Sequence, residues 1–168
     1  YESIIQTMKR EDANEQVLAP LLTRLGNLYF SSQDYPKAIN AYINAIIIRE
    51  LNKSRTSYNT GDIGWHLIEI GNSLFRLHDF DLAEYPYKMA LKVFSAISGP
   101  AGIEGMITAT NNIALCKLNA GNPKGALPVF NATLKLSQKY GESQRIYITQ
   151  VYISTCYLKM EQYDKCIS

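Results

Sequence analysis

Leu25-Gly26-Asn27-Leu28-Tyr29-Phe30, followed by Asp34-Tyr35-Pro36-Lys37-Ala38-Ile39 and then by Tyr42 and Ala45, decides the fold. It returns 45 positions later as Ile70-Gly71-Asn72-Ser73-Leu74-Phe75, Asp79-Phe80-Asp81-Leu82-Ala83-Glu84, Tyr87 and Ala90. Self-similarity at a fixed period of this length is the signature of a repeat architecture and outranks any local motif. With Gly26 as position 8 of the unit and Ala38 as position 20, a third copy falls on Ile113-Ala114, Asn122, Ala126, Phe130 and Thr133. A fourth falls on Ile153-Ser154, Gln162, Tyr163 and Cys166. The position-20 residues stand 45, 43 and 40 residues apart, so the body of the unit is constant and its connector varies.

Each recurring position has a physical reading. Position 8 is small (Gly26, Gly71, Ala114, Ser154), which lets two helices approach closely. Position 20 is small on the facing helix (Ala38, Ala83, Ala126, Cys166), and position 24 is a ring that fills the space beside them (Tyr42, Tyr87, Phe130). Position 7 is a core aliphatic: Leu25, Ile70, Ile113, Ile153. Position 16 is Asp34, Asp79, Asn122 and Gln162. Asp and Asn there are good N-caps, because the side-chain oxygen accepts an orphan backbone N–H. Asp81 and Glu84 offer a second start by capping-box spacing. Each unit therefore reads as helix A, a tight turn, and helix B beginning near position 17.

This pattern resembles the tetratricopeptide repeat (TPR) family, in a long-repeat form of about 40–45 residues similar to Leu-Gly-Asn repeat proteins and bacterial sensory TPR domains. The match runs from about Ala19 to the end of the chain. The Trp usual at position 4 is replaced by Leu22, Leu67, Thr110 and Gln150. The resemblance implies an all-α, right-handed superhelical solenoid of antiparallel helix pairs. It divides the chain into the tail helix of a preceding repeat (1–12), repeat 1 (13–52), repeat 2 (60–97), repeat 3 (101–140) and a partial repeat 4 (142–168), all one solenoid segment of a larger protein.

Along the chain, Tyr1 to Arg10 reads as a helix with Ile4, Ile5 and Met8 on one face. Helix A of repeat 1 spans about Asn14 to Ser32, with Pro20 expected to start or kink it, because proline inside a helix removes a hydrogen bond and clashes with the preceding turn. Helix B follows from Pro36 to Leu51, and Lys53 to Gly61 reads as a polar connector. Repeat 2 is expected as helices from Asp62 to Leu77 and from Asp81 to Ile97, and repeat 3 as helices from Ile103 to Ala120 and from the Gly121-Asn122-Pro123 turn to Tyr140. Local bends are expected at Pro86 and Pro128. The Gly-rich run 98–105 lacks the Gly-Lys-Ser/Thr ending of a phosphate loop and reads as a turn between helices.

Composition excludes several functional classes. The 168 residues carry a net charge of +2 and 46% hydrophobic residues. Lys and Arg are scattered, with no basic stripe for a nucleic acid. No run of about 18 apolar residues forms a membrane-spanning helix. Cys116, Cys156 and Cys166 are an odd number, with two on helix A, and read as small buried residues rather than a disulfide framework. His66 and His78 have no Cys or second His at ligand spacing and read as surface or turn residues, so no metal and no cofactor is expected. No nucleophile, base and orienting group share a motif, and the chain is not expected to be an enzyme.

By resemblance, the concave surface is lined from helix A positions 2, 5, 9, 12 and 13. Its candidate binding residues are Asn27 and Phe30 in repeat 1, Trp65, Ile68, Asn72, Phe75 and Arg76 in repeat 2, and Asn111, Leu115 and Leu118 in repeat 3. Some family members clamp a peptide carboxylate with Lys and Asn. Asn27 matches one such position, but Thr23, Thr108 and Asn112 stand where the cations belong, so the resemblance does not extend to that clamp. The implied function is a non-catalytic scaffold whose groove takes a protein or peptide segment. The alternative is a ligand-sensing input domain of a bacterial histidine kinase or transcriptional regulator. The cytoplasm is the expected location, and the periplasm is the alternative for a sensor input domain.

Overall fold

The computed structural model describes residues 15–51 and 60–162. Seven helices follow one another there: α1 Glu15–Ser31, α2 Tyr35–Leu51, α3 Thr60–Arg76, α4 Phe80–Ser95, α5 Pro100–Asn119, α6 Pro123–Lys139 and α7 Ser143–Lys159. No strand occurs among the described residues. Every helix packs chiefly on its neighbours in sequence, and α3 also touches α5. That is the contact pattern of a solenoid, in which each unit buries its apolar face on the next. The expected helix over residues 1–10, the connector at 53–59, and Tyr163 and Cys166 lie outside the described residues.

The turn from helix A to helix B is built the same way each time. Gln33, His78, Gly121 and Glu161 all adopt positive φ, between 58° and 78°. At each, the turn residue's N–H returns to the carbonyl three residues back and the next N–H to the carbonyl five back, as in Gln33 to Phe30 and Asp34 to Tyr29. This is the Schellman closure, which satisfies helix carbonyls that would otherwise be orphaned. Position 16 then starts helix B. Asp34 accepts from the Lys37 N–H at 3.3 Å, Asp79 from Leu82 at 3.2 Å, and Asn122 from Gly125 at 2.8 Å. Asp79 is therefore the cap of α4, and the alternative start at Asp81 is not used.

Helices α1, α4 and α6 run continuously through Pro20, Pro86 and Pro128. Each proline lies in the second turn, where its cost is confined to the helix's N-terminal end. Of the Gly-rich run only Ser98 and Gly99 form the expected turn: α5 begins at Pro100, so Gly102 and Gly105 are helical and buried. A Cβ on Gly102 would meet the Ile97 carbonyl oxygen, and one on Gly105 would meet the Phe94 ring. Close packing between consecutive helices demands these glycines.

The same requirement explains position 8. A Cβ on Gly26 would fall 2.5 Å from Cε1 of Tyr42, and one on Gly71 would fall 2.5 Å from Cε1 of Tyr87. Both rings are buried, beside the fully buried Ala38 and Ala83. Around the second unit the core gathers Ile63, Leu67, Ile68, Ala90, Phe94, Ala109, Ile113 and Cys116. Around the third it gathers Ala114, Leu118, Ala126, Phe130 and Cys156, with Tyr152 stacked on Phe130 at 5.3 Å. Cys116 and Cys156 are free and buried, and burial pushes the Cys116 thiol up to about 12. Polar ties join successive units: Arg49 to Asp62 at 2.7 Å, Lys117 to Glu84 at 3.0 Å, and Arg145 to Thr108 at 3.0 Å.

Candidate functional site: a groove across three A helices

The A helices α1, α3 and α5 lie side by side and leave a concavity of about 540 Å³. Phe30 comes from α1. Glu69, Asn72, Phe75 and Arg76 come from α3, Asn112 and Leu115 from α5, and Tyr87 reaches in from α4. The α3 residues share a face because 69, 72 and 76 follow helical spacing, as do 112 and 115 on α5. Phe75 is held edge-on by Phe80 at 5.0 Å, and Phe30 by Tyr35 at 5.4 Å.

A polar network forms the floor. The Tyr87 hydroxyl donates to Oδ1 of Asn72 at 2.8 Å. Nδ2 of Asn112 approaches the same oxygen at 3.4 Å, and Nδ2 of Asn72 donates to Oε2 of Glu69 at 3.2 Å. Repeat 1 has the matching clasp, with the Tyr42 hydroxyl donating to Oδ1 of Asn27 at 2.8 Å. The two asparagines are therefore not free solvent-facing amides. Each has spent an acceptor on the ring that seats against the glycine before it. In the third unit the ring is Phe130, which has no hydroxyl to donate, and position 9 is Leu115 rather than Asn. Within this one chain, amide and hydroxyl come and go together. Burial raises the pKa of both tyrosines, so they stay protonated donors. Burial also holds the Glu69 carboxyl above its ordinary value, and the Asn72 bond offsets part of that rise.

Of the ten residues expected to bind, Phe30, Asn72, Phe75, Arg76 and Leu115 line the cavity. Asn27 is on the exposed surface of α1, tied to Tyr42. Ile68 and Leu118 are core residues, 2% and 5% exposed, and are corrected accordingly. Ile68 precedes Glu69 by one residue, about 100° around the helix, which turns it into the core shared with Ala83, Tyr87 and Ala90 of α4 and Ala109 and Ile113 of α5. Leu118 packs on Ala126, Phe130 and Cys156. Trp65 is half-buried, its ring edge-on to Phe94 at 5.1 Å. Asn111 has a buried Oδ1 without a hydrogen-bond partner among the described residues and stands off the cavity. Glu69, Asn112 and Tyr87 were missed. The signal for Glu69 and Asn112 was present, since each sits three residues before an expected residue, Asn72 or Leu115, that also lines the cavity.

His66 is buried, not a surface residue; His78 is exposed in the turn, as expected. His66 Nε2 lies 2.7 Å from Oγ1 of Thr23, joining α1 to α3 behind the groove. Its ring is 6.1 Å from that of Tyr42. Nδ1 finds no acceptor of good geometry, and the nearby Asp62 backbone offers only partial compensation. Burial first, and then the charge of Arg49, lower the His66 pKa from 6.5, against an opposing pull from Asp62. The folded state thus holds neutral imidazole where the unfolded chain takes up a proton. Stability is full above about pH 6.5 and falls as pH drops below it. Urea unfolding at pH 7.5 and pH 5 is expected to show the loss in the wild type. Glutamine in place of His66 is expected to flatten that pH dependence; an unchanged difference would remove His66 as its source.

No protein-family model and no curated protein matches the sequence. Solved structures do match in shape. The apo form of RapI superposes with a TM-score of 0.80 at 16% identity, covering 99% of this chain and 44% of RapI. A TPR-like protein from Chlorobium tepidum gives 0.64 at 19% identity, over 84% of this chain and 95% of that one. The Rap conjugation gene regulator of plasmid pLS20, solved in complex with a Phr peptide, gives 0.73 at 12% identity, over 95% of this chain and 44% of that one. This chain thus spans less than half the length of the two Rap proteins. The fold that these likenesses and the three helix pairs and seventh helix of the described residues establish is the TPR-like solenoid.

Proposed function

We propose that this chain is a non-catalytic binding module that takes a peptide or protein segment into the groove across α1, α3 and α5. The observation that carries the reading is the 540 Å³ concavity itself, with three apolar side chains on its walls and an amide network on its floor. Its volume and mixture of groups are those of a ligand site. Asparagine amides offer donors and acceptors that match a peptide backbone, and Phe30, Phe75 and Leu115 offer apolar contact for side chains. The Rap regulator, similar in fold, was solved with a peptide bound, which supports a peptide as ligand here. That protein is also a conjugation gene regulator, which favours, as a second reading, a sensing domain whose output lies elsewhere in its parent protein.

The test is selection of a random pentapeptide library on the immobilised chain. Wild type is expected to enrich a consensus. Leu115→Arg, which fills the groove, is expected to lose the enrichment, and a circular-dichroism melt of the variant separates loss of binding from loss of fold. Met89→Ala, on the exposed face of α4, is expected to retain it. No consensus with wild type, or one that survives Leu115→Arg, would move the search off this groove.

A further inference from the structure

Glu69 is the one acidic side chain lining the cavity. It is half-buried, and its carboxylate accepts from the neutral Asn72 amide at 3.2 Å. No cation among the described residues pairs with it. The two charges of the groove differ in what they need. Arg76, also without an ion pair among the described residues, is exposed and keeps its hydration. An unpaired charge in water costs nothing, whereas a carboxylate drawn partly out of water is destabilised until a cation or strong donor meets it. Glu69 also lies close enough to Tyr42 and Tyr87 for its charge to disfavour ionisation of both, so it sits where the first two units meet.

Around this carboxylate the walls are Phe30, Phe75 and Leu115. That combination is selective. A carboxylate alone would take any cation, including a hydrated metal ion, but apolar walls reject a strongly hydrated ion. They favour a cation carried on a methylene stem, because the stem buries apolar area while the head reaches the charge. Lys and Arg are the peptide side chains of that shape. The second Nδ2 hydrogen of Asn72 and the Asn112 amide are left to meet the backbone beside it, and Arg76 stands two helical turns, about 10.5 Å, along α3, where it suits an acidic group of the same ligand.

Resting on the peptide-binding reading above, we propose that the groove contains a subsite for one basic side chain: Glu69 receives the Lys or Arg head group, and Phe30, Phe75 and Leu115 receive its stem. The preferred ligand is then a short extended segment with a basic residue at one fixed position.

The experiment uses the pentapeptide selection on wild type and on Glu69→Gln, which keeps the side chain's shape and its acceptor for Asn72 while removing the charge. Wild type is expected to enrich Lys or Arg at one position. Glu69→Gln is expected to keep the rest of the consensus and lose that preference. The top wild-type peptide, resynthesised with Gln for its basic residue, is expected to bind wild type at least tenfold more weakly and Glu69→Gln with little change. Calorimetry on the four pairings reads this coupling directly. A consensus without a fixed basic residue, or a basic preference that survives Glu69→Gln, overturns the subsite while leaving the peptide groove intact. No consensus in wild type overturns both. A circular-dichroism melt of Glu69→Gln separates loss of charge from loss of fold.

Discussion

Gly71→Leu is expected to destabilise the chain by about 3 kcal/mol or more, at the upper end of overpacking costs. Even a single Cβ would lie 2.5 Å from Cε1 and 2.7 Å from Cζ of Tyr87. That ring is pinned: it is 2% exposed, and its hydroxyl is held by Asn72 at 2.8 Å. The sign of the smaller change is informative as well. At an open helical site, Gly→Ala gains about 1 kcal/mol from helix propensity. Gly71→Ala is expected to lose stability instead, because the overlap with a pinned ring outweighs propensity. Against a typical stability of about 5–15 kcal/mol, the leucine variant should melt many degrees lower. A Gly71→Leu protein that unfolds at the wild-type urea concentration would mean that α3 and α4 do not meet at this residue.

Phe94→Ala is expected to be as damaging, about 3–5 kcal/mol, by the cost of emptying a large buried aromatic site. Phe94 lies 1% exposed at the end of α4, between Gly64 of α3 and Gly105 of α5. It therefore joins one unit to the next, with Trp65 edge-on at 5.1 Å. The arrangement predicts non-additivity. Gly105→Ala alone should destabilise, since its Cβ would overlap the ring. In the Phe94→Ala background the overlap is gone, and the same methyl should stabilise by propensity and by filling space. Urea denaturation of the four proteins measures the coupling, which for touching residues runs from about 0.5 to 3 kcal/mol. Additive effects would show that ring and glycine do not share one site.

The solenoid was legible in the sequence because its determinants are local and repeat. Gly26 and Gly71 must be small where rings seat on them, and Asp34, Asp79 and Asn122 must cap where helix B starts. Each requirement is met within one helical hairpin, so each recurs in phase along the chain. The left-handed turn residues Gln33, His78 and Glu161 recur as well, but without glycine, and geometry alone reveals them. Which side of helix A faces the groove was decided by the tertiary structure. A rotation of 100° separates Ile68 in the core from Glu69 on the cavity wall, and sequence places both near the same stripe. The interhelix partners of Phe94 and His66 come from helices in different units, and the variable connectors hide that register. Periodicity specifies what each unit buries against itself; the packing of one unit on the next decides which residues remain to meet a ligand.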